Sequence, residues 1–189
     1  MRLFVAVDLD AAAREALAAV QDRLRARRDS GSPLRWVQRD HLHLTLVFLG
    51  DVEEARGAAI AKAIDAPVAL TAFDLAFGGL GVFPERGAPR ALWVGATSGA
   101  AEARTLQRAL ADRVAALGVT LDSRPFSPHL TLARWKTSRP SDRRRVLEGA
   151  SDRTIARVRV DHTTLYQSRL SSAGPTYTPL ARANLIDHV

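Results

Sequence analysis

Short apolar runs alternate along the chain with longer stretches of helical periodicity. Residues 2–8, RLFVAVD, make a compact apolar run that predicts a buried strand. Ala13, Leu17, Val20 and Leu24 then recur at three- and four-residue steps, which puts them on one face of a helix. The polar segment 27–33, RRDSGSP, ends that helix. Residues 42–49, LHLTLVFL, alternate and predict a second strand. Gly50 and Asp51 mark a turn and a helix N-cap before a helix over VEEARGAAIAKAI. Residues 67–77 read as extended again.

The second half repeats this order. Residues 90–96, RALWVGA, resemble the first strand. Leu106, Leu110, Val114 and Leu117 form the stripe of a second long helix, with Gly118 as its stop. Residues 129–134, HLTLAR, match the 42–49 strand, Pro140–Gly149 the second helix and 154–168 the later strand. Corresponding features sit at near-constant offsets: 89 from Phe4 to Trp93, 89 from Leu17 to Leu106 and 86 from His43 to His129. The pattern predicts an internal duplication, approximately 1–85 and 86–175, within one bilobal domain over residues 1–189, with an extra strand at about 176–186. No Pro/Gly/Ser linker is long enough to separate independent domains.

Composition narrows the function classes. With 47% apolar and 25% charged residues the chain is a folded protein rather than a disordered or low-complexity one. No apolar run approaches the roughly 18–20 residues of a membrane span. The opening MRLFVAVDLD lacks the features of a secretory signal, so the cytoplasm is the expected location. Zero cysteines exclude disulfides, thiolate catalysis and zinc–thiolate sites. The net charge is 27 − 20 = +7, and 25 of the 27 basic residues are Arg, the exceptions being Lys62 and Lys136. Such a surface attracts polyanions, and the planar guanidinium fork suits phosphate.

The most informative feature is a tetrapeptide that occurs twice, His43-Leu44-Thr45-Leu46 and His129-Leu130-Thr131-Leu132. On a strand, His and Thr at i and i+2 share one face while both Leu turn to the other. On a helix the same pair would diverge by about 200°. Two such strands about a pseudo-dyad bring two imidazoles and two hydroxyls to one cleft. One neutral and one protonated ring make a general base and a general acid. The Thr hydroxyls can donate to anionic oxygens. Two structural histidines would account for a single such motif, but not for its exact repetition in matching places.

With these motifs the sequence resembles the 2H phosphoesterase superfamily, and most closely its RNA 2′,3′-cyclic phosphodiesterase, or 2′-5′ RNA ligase, branch. The matching stretches are RLFVAVDL at the start, HLHLTLVFLG at 41–50, FSPHLTLAR at 126–134 and YQSRLSSAGPTYTPL at 166–180. The resemblance implies an α+β fold with two antiparallel sheets related by a pseudo-twofold around a central cleft, helices outside. It implies His43 as general acid, His129 as general base, and Thr45 and Thr131 on the phosphate; Arg134, within the matching HLTLAR stretch, is a candidate for a further phosphate contact or for an orienting group beneath the motif. The implied reaction is hydrolysis of RNA 2′,3′-cyclic phosphodiester ends to 2′-phosphomonoesters, on RNA ends or cyclic nucleotides. The alternatives are the reverse 2′-5′ ligation and a non-catalytic RNA-binding module. No metal or other cofactor, no membrane and a monomer are expected.

Other residues carry weaker expectations. His41 would share the face of His43, but no third ligand accompanies them, so a structural or cleft-edge role is expected. His162 and His188 lack any second motif. A regular strand turns Arg134 away from His129, so a place in the cleft requires a twist or bulge. Phe48, at the corresponding place in the first half, is expected in the core. Tyr177 and Ser168 are candidates for the cleft wall. Trp36 and Trp135 are candidates for base stacking or for core packing. Arg143, Arg144 and Arg145 read mainly as a solvated helix face. Gly78-Gly79-Leu80-Gly81 reads as a connector, since no P-loop lysine follows it.

Overall fold

The computed structural model describes residues 1–27, 34–148, 150, 153–172 and 174–186. Most of the 27–33 segment and His188 lie outside the described residues. The elements are β1 (Arg2–Val7), α1 (Ala11–Ala26), β2 (Leu34–Trp36), a 3-10 turn at Arg39–His41, β3 (Leu44–Asp51) and α2 (Glu54–Asp65). They continue with β4 (Val68–Thr71), β5 (Phe73–Phe83), β6 (Ala91–Ser98), α3 (Ala100–Ala115) and β7 (His129–Trp135). Last come α4 (Ser141–Leu147), β8 (Thr154–Val160), β9 (His162–Ser171) and β10 (Gly174–Ile186).

Local chemistry accounts for most boundaries. The Asp10 carboxylate caps α1 by accepting from the Ala13 amide at 2.7 Å. The predicted stripe of Ala13, Leu17, Val20 and Leu24 is buried, joined by Gln21. Gly118 adopts φ 74° just beyond α3, the left-handed backbone that stops a helix. Asp51 is not a helix cap: it stays in β3, paired opposite Arg2, and α2 is preceded by Glu53.

The strands form two five-stranded sheets, ordered β3-β1-β9-β10-β4 and β2-β7-β6-β5-β8. All pairings are antiparallel except β10 with β4. The sheets do not coincide with the halves of the sequence. Strand β5, from the first half, pairs with β6, while β9 from the second half pairs with β1. Strand β2 likewise crosses to pair with β7. Helices follow the same exchange, with α1 against β8 and α3 against β3. Leu17 and Leu106 are fully buried in one continuous core. Truncating such a leucine to Ala costs about 2–5 kcal/mol.

The Gly78–Gly81 segment is strand rather than connector. Gly79, at φ 65°, makes the bulge between Gly78 and Leu80. Gly81 lies opposite Trp93, and a Cβ on it would come within 2.1 Å of the indole. These glycines admit a flat ring to the sheet surface, a use that composition alone does not separate from a turn.

Each HLTL strand carries a bulge at the same place. Along β3, Thr45 faces Ala6 and Val47 faces Val5, leaving Leu46 unpaired. Along β7, Thr131 faces Trp93 and Ala133 faces Leu92, leaving Leu132 unpaired. Leu46 and Val47 are therefore both buried, as are Leu132 and Ala133. The next residues, Phe48 and Arg134, turn to the face that carries the Thr.

Candidate active site

The two motif strands lie against one another where the sheets meet. His43 sits just before β3 and His129 opens β7, both partly buried. The His43 Nδ1 is 2.7 Å from the backbone oxygen of His41, and the His129 Nδ1 is 2.7 Å from that of Ser127. A carbonyl only accepts, so in each ring Nδ1 carries the proton and donates. Each Nε2 is free of protein hydrogen bonds among the described residues. Both halves thus orient the ring with the carbonyl two residues earlier. His41 supplies that carbonyl from the end of the 3-10 turn instead of continuing the strand.

Aromatic residues back both rings. Phe4 stacks on His43 with centroids 4.9 Å apart, and Tyr177 meets His43 edge-on at 5.5 Å. Phe83 meets His129 edge-on at 4.9 Å, with Trp93 at 6.0 Å. Phe4 and Trp93 are the residues offset by 89, so matching positions in the two halves back the two rings. The Tyr177 ring also packs on His41 at 4.8 Å and stands opposite Ser168 in the β9–β10 pair.

Electrostatics link the motifs. Burial pushes both imidazoles below their ordinary value of 6.5. At His43 the His41 carbonyl and Asp8 oppose that push, and at His129 the Ser127 carbonyl does. The Arg134 guanidinium adds a smaller downward push at both rings and acts on Tyr177 too. One cation is therefore within range of both motifs. The bulge at Leu132 is what brings it there, and the buried Gln21 braces that bulge, its Nε2 donating at 2.9 Å to both Leu132 O and Val37 O.

A cavity of about 380 Å³ opens beside His43, lined among others by Phe4, Asp8, Arg14, His41, Tyr166 and Tyr177. Asp8 accepts from Thr164 Oγ1 and from the Tyr166 hydroxyl, each at 2.7 Å, with His162 Nε2 3.7 Å away. Burial pushes the Asp8 carboxyl up, but these partners outweigh it and hold it down at about 2. His162 stands between Asp8 and Asp161, chiefly Asp8 raising its pKa. Among the described residues no three of His, Asp and Glu converge as a metal-binding group.

A family model for the 2′-5′ RNA ligase superfamily matches residues 9–171. The chain belongs to the 2′-5′ RNA ligase superfamily. An RNA 2′,3′-cyclic phosphodiesterase of Archaeoglobus fulgidus is 34% identical over 181 residues, 95% of this chain and 98% of its own length. One of Geobacillus stearothermophilus is 41% identical over 140 residues, 72% of this chain but only 43% of that longer relative. Among solved structures, E. coli LigT complexed with 3′-AMP superposes with TM-score 0.74 at 29% identity, covering 97% of both chains. The antiparallel two-sheet α+β fold is thus the superfamily's.

Within this superfamily chain, the remaining candidates divide clearly. Phe48 is not core: it is 52% exposed on the Thr45 face, with the Arg2 guanidinium 5.0 Å above its ring. The bulge that the regular-strand reading omitted is the reason. Trp135 is buried in the core, and Trp36 packs partly buried beneath Arg25 at 5.0 Å. Arg143 Nη2 donates to Pro84 O at 2.7 Å and ties α4 to the loop after β5, while Arg144 and Arg145 are exposed. The residues that the sequence reading missed are Asp8, Phe83, Tyr166 and Gln21. Phe4 and Trp93 had a signal, their common offset. A buried glutamine inside an apolar helix stripe was the signal for Gln21.

Proposed function

We propose that this chain hydrolyses 2′,3′-cyclic phosphate ends of RNA, or cyclic nucleotides, to 2′-phosphomonoesters. The observation that carries the reading is the pair of imidazoles, oriented alike, each with a free Nε2, under the charge of the single Arg134. Water attacks phosphorus in line with the 3′ oxygen. His129 takes the water proton as general base. The P–O3′ bond breaks, and His43 delivers a proton to O3′ as general acid. Thr45, Thr131 and Arg134 hold the non-bridging oxygens as charge builds on them. Asp8, whose field favours a protonated His43, supports that assignment of acid and base. Among the described residues no helix is long and apolar enough to cross a membrane. Both motifs come from one chain, so a monomer suffices as catalytic unit, organised as one bilobal duplicated domain. The absence of cysteine suits a reducing cytoplasm.

The test is product identity. A cyclic mononucleotide incubated with enzyme and excess chelator should give the 2′-monophosphate alone. Formation of the 3′-monophosphate would refute the bond assignment, and loss of activity restored by a divalent ion would refute the two-histidine chemistry.

A further inference from the structure

Arg35, the middle residue of β2, stands directly opposite Arg134 across the β2–β7 pair. Directly opposed residues share a face, with Cβ atoms about 5 Å apart. The pattern around them agrees, because the flanking pair Leu34 and Trp135 is buried while Arg35 and Arg134 are exposed. Arg134 shares its face with His129 and Thr131, so Arg35 extends that face outward onto the edge strand of the sheet. Two like charges in direct opposition destabilise a sheet. Among the described residues neither guanidinium has a hydrogen-bond or ion-pair partner to offset this. A paired, unneutralised double fork of this kind is a phosphate-binding arrangement.

We propose that Arg35, side by side with Arg134, forms a second phosphate site that holds the phosphodiester next to the terminal nucleotide of an RNA chain. This rests on the cyclic phosphodiesterase reading. A 2′,3′-cyclic phosphate blocks both hydroxyls of the last ribose, so the chain continues only on its 5′ side. The next phosphate is therefore the one available to a cation beyond the catalytic groups. Arg134 bridges the two sites, and Arg35 reads only the second, so a chain is preferred to a mononucleotide.

The experiment compares kcat/KM on a cyclic mononucleotide and on an oligonucleotide ending in the same cyclic nucleotide. Arg35→Ala should lower the oligonucleotide-to-mononucleotide preference about 10-fold through KM. It should also reduce the salt slope on the oligonucleotide by about 0.7, the share of one single-strand phosphate. Arg35→Lys should recover part of the preference, because it keeps the charge but loses the fork. An unchanged preference, or an equal loss on both substrates, would overturn the proposal. Inactivity of the parent enzyme on both substrates would instead overturn the proposed function. Anisotropy of a labelled oligonucleotide carrying a terminal 2′-phosphate would then decide the site alone: weaker binding by Arg35→Ala supports it, and equal binding refutes it.

Discussion

At the scale of single residues, the two imidazoles are oriented alike but stand in unequal electrostatic surroundings. Both are pushed below 6.5 by burial, and only His43 has a carboxylate, Asp8, working against that push. Catalysis requires one ring protonated and one neutral, and kcat/KM reports the free enzyme. Its optimum therefore lies on the acid side of neutrality, and kcat/KM should fall as pH rises from 6 to 8. A pH–rate profile rising across that range would contradict it. Folding stability carries the opposite sign. A histidine depressed in the folded state binds fewer protons there than in the unfolded chain below about pH 6.5. Its contribution is complete above that pH and lost as pH falls through the folded value. Urea unfolding at several pH values should show a shallower loss below 6.5 in a His43→Ala, His129→Ala double variant. Asp8 contributes over a lower window, between about 4 and 2, because its carboxyl is held at about 2. The histidines and threonines were legible because their spacing is meaningful on a strand. Asp8 was not, because its significance comes from Thr164 and Tyr166, more than 150 positions away in the chain.

At the scale of elements, periodicity identified nearly every strand and helix, since burial on one face writes itself into the pattern. It split wrongly where the physics is ambiguous. The 154–168 segment is two strands broken after Val160, and the glycine cluster is a bulged strand. The paired bulges did leave a mark, the adjoining apolar residues Leu46-Val47 and Leu132-Ala133 that break alternation. That mark is what distinguishes an Arg134 in the cleft from one beneath the sheet. Gln21 holds the second bulge from α1. Gln21→Leu should cost about 1–3 kcal/mol by removing the side-chain donor from Val37 O, while Leu132 O keeps the Val37 N–H. It should also lower kcat/KM, since the strand that aims Arg134 loses its brace. Denaturant midpoints and steady-state kinetics check both effects, and a variant as stable and active as the parent would refute the brace.

At the scale of the whole molecule, the repeated order of elements was legible but the exchange of strands was not. A strand's alternation says which face is buried and nothing about which neighbour it pairs with. Because β5 completes the second sheet and β9 and β10 complete the first, neither half holds a finished sheet. A fragment of residues 1–85 should thus be unfolded by circular dichroism, and a cooperatively folding fragment would refute the interdependence. The exchange also ties the two sheets together and holds one motif strand against the other. The measurement that bears most directly on that device is the chemical rate of His43→Ala and His129→Ala on two substrates. One is a 2′,3′-cyclic nucleotide; the other is a phosphodiester whose leaving group departs without a proton. On the first, each variant should lose roughly 10² to 10⁴. On the second, His43→Ala should recover while His129→Ala stays slow. Full activity of both variants on the cyclic nucleotide would contradict the two-histidine account.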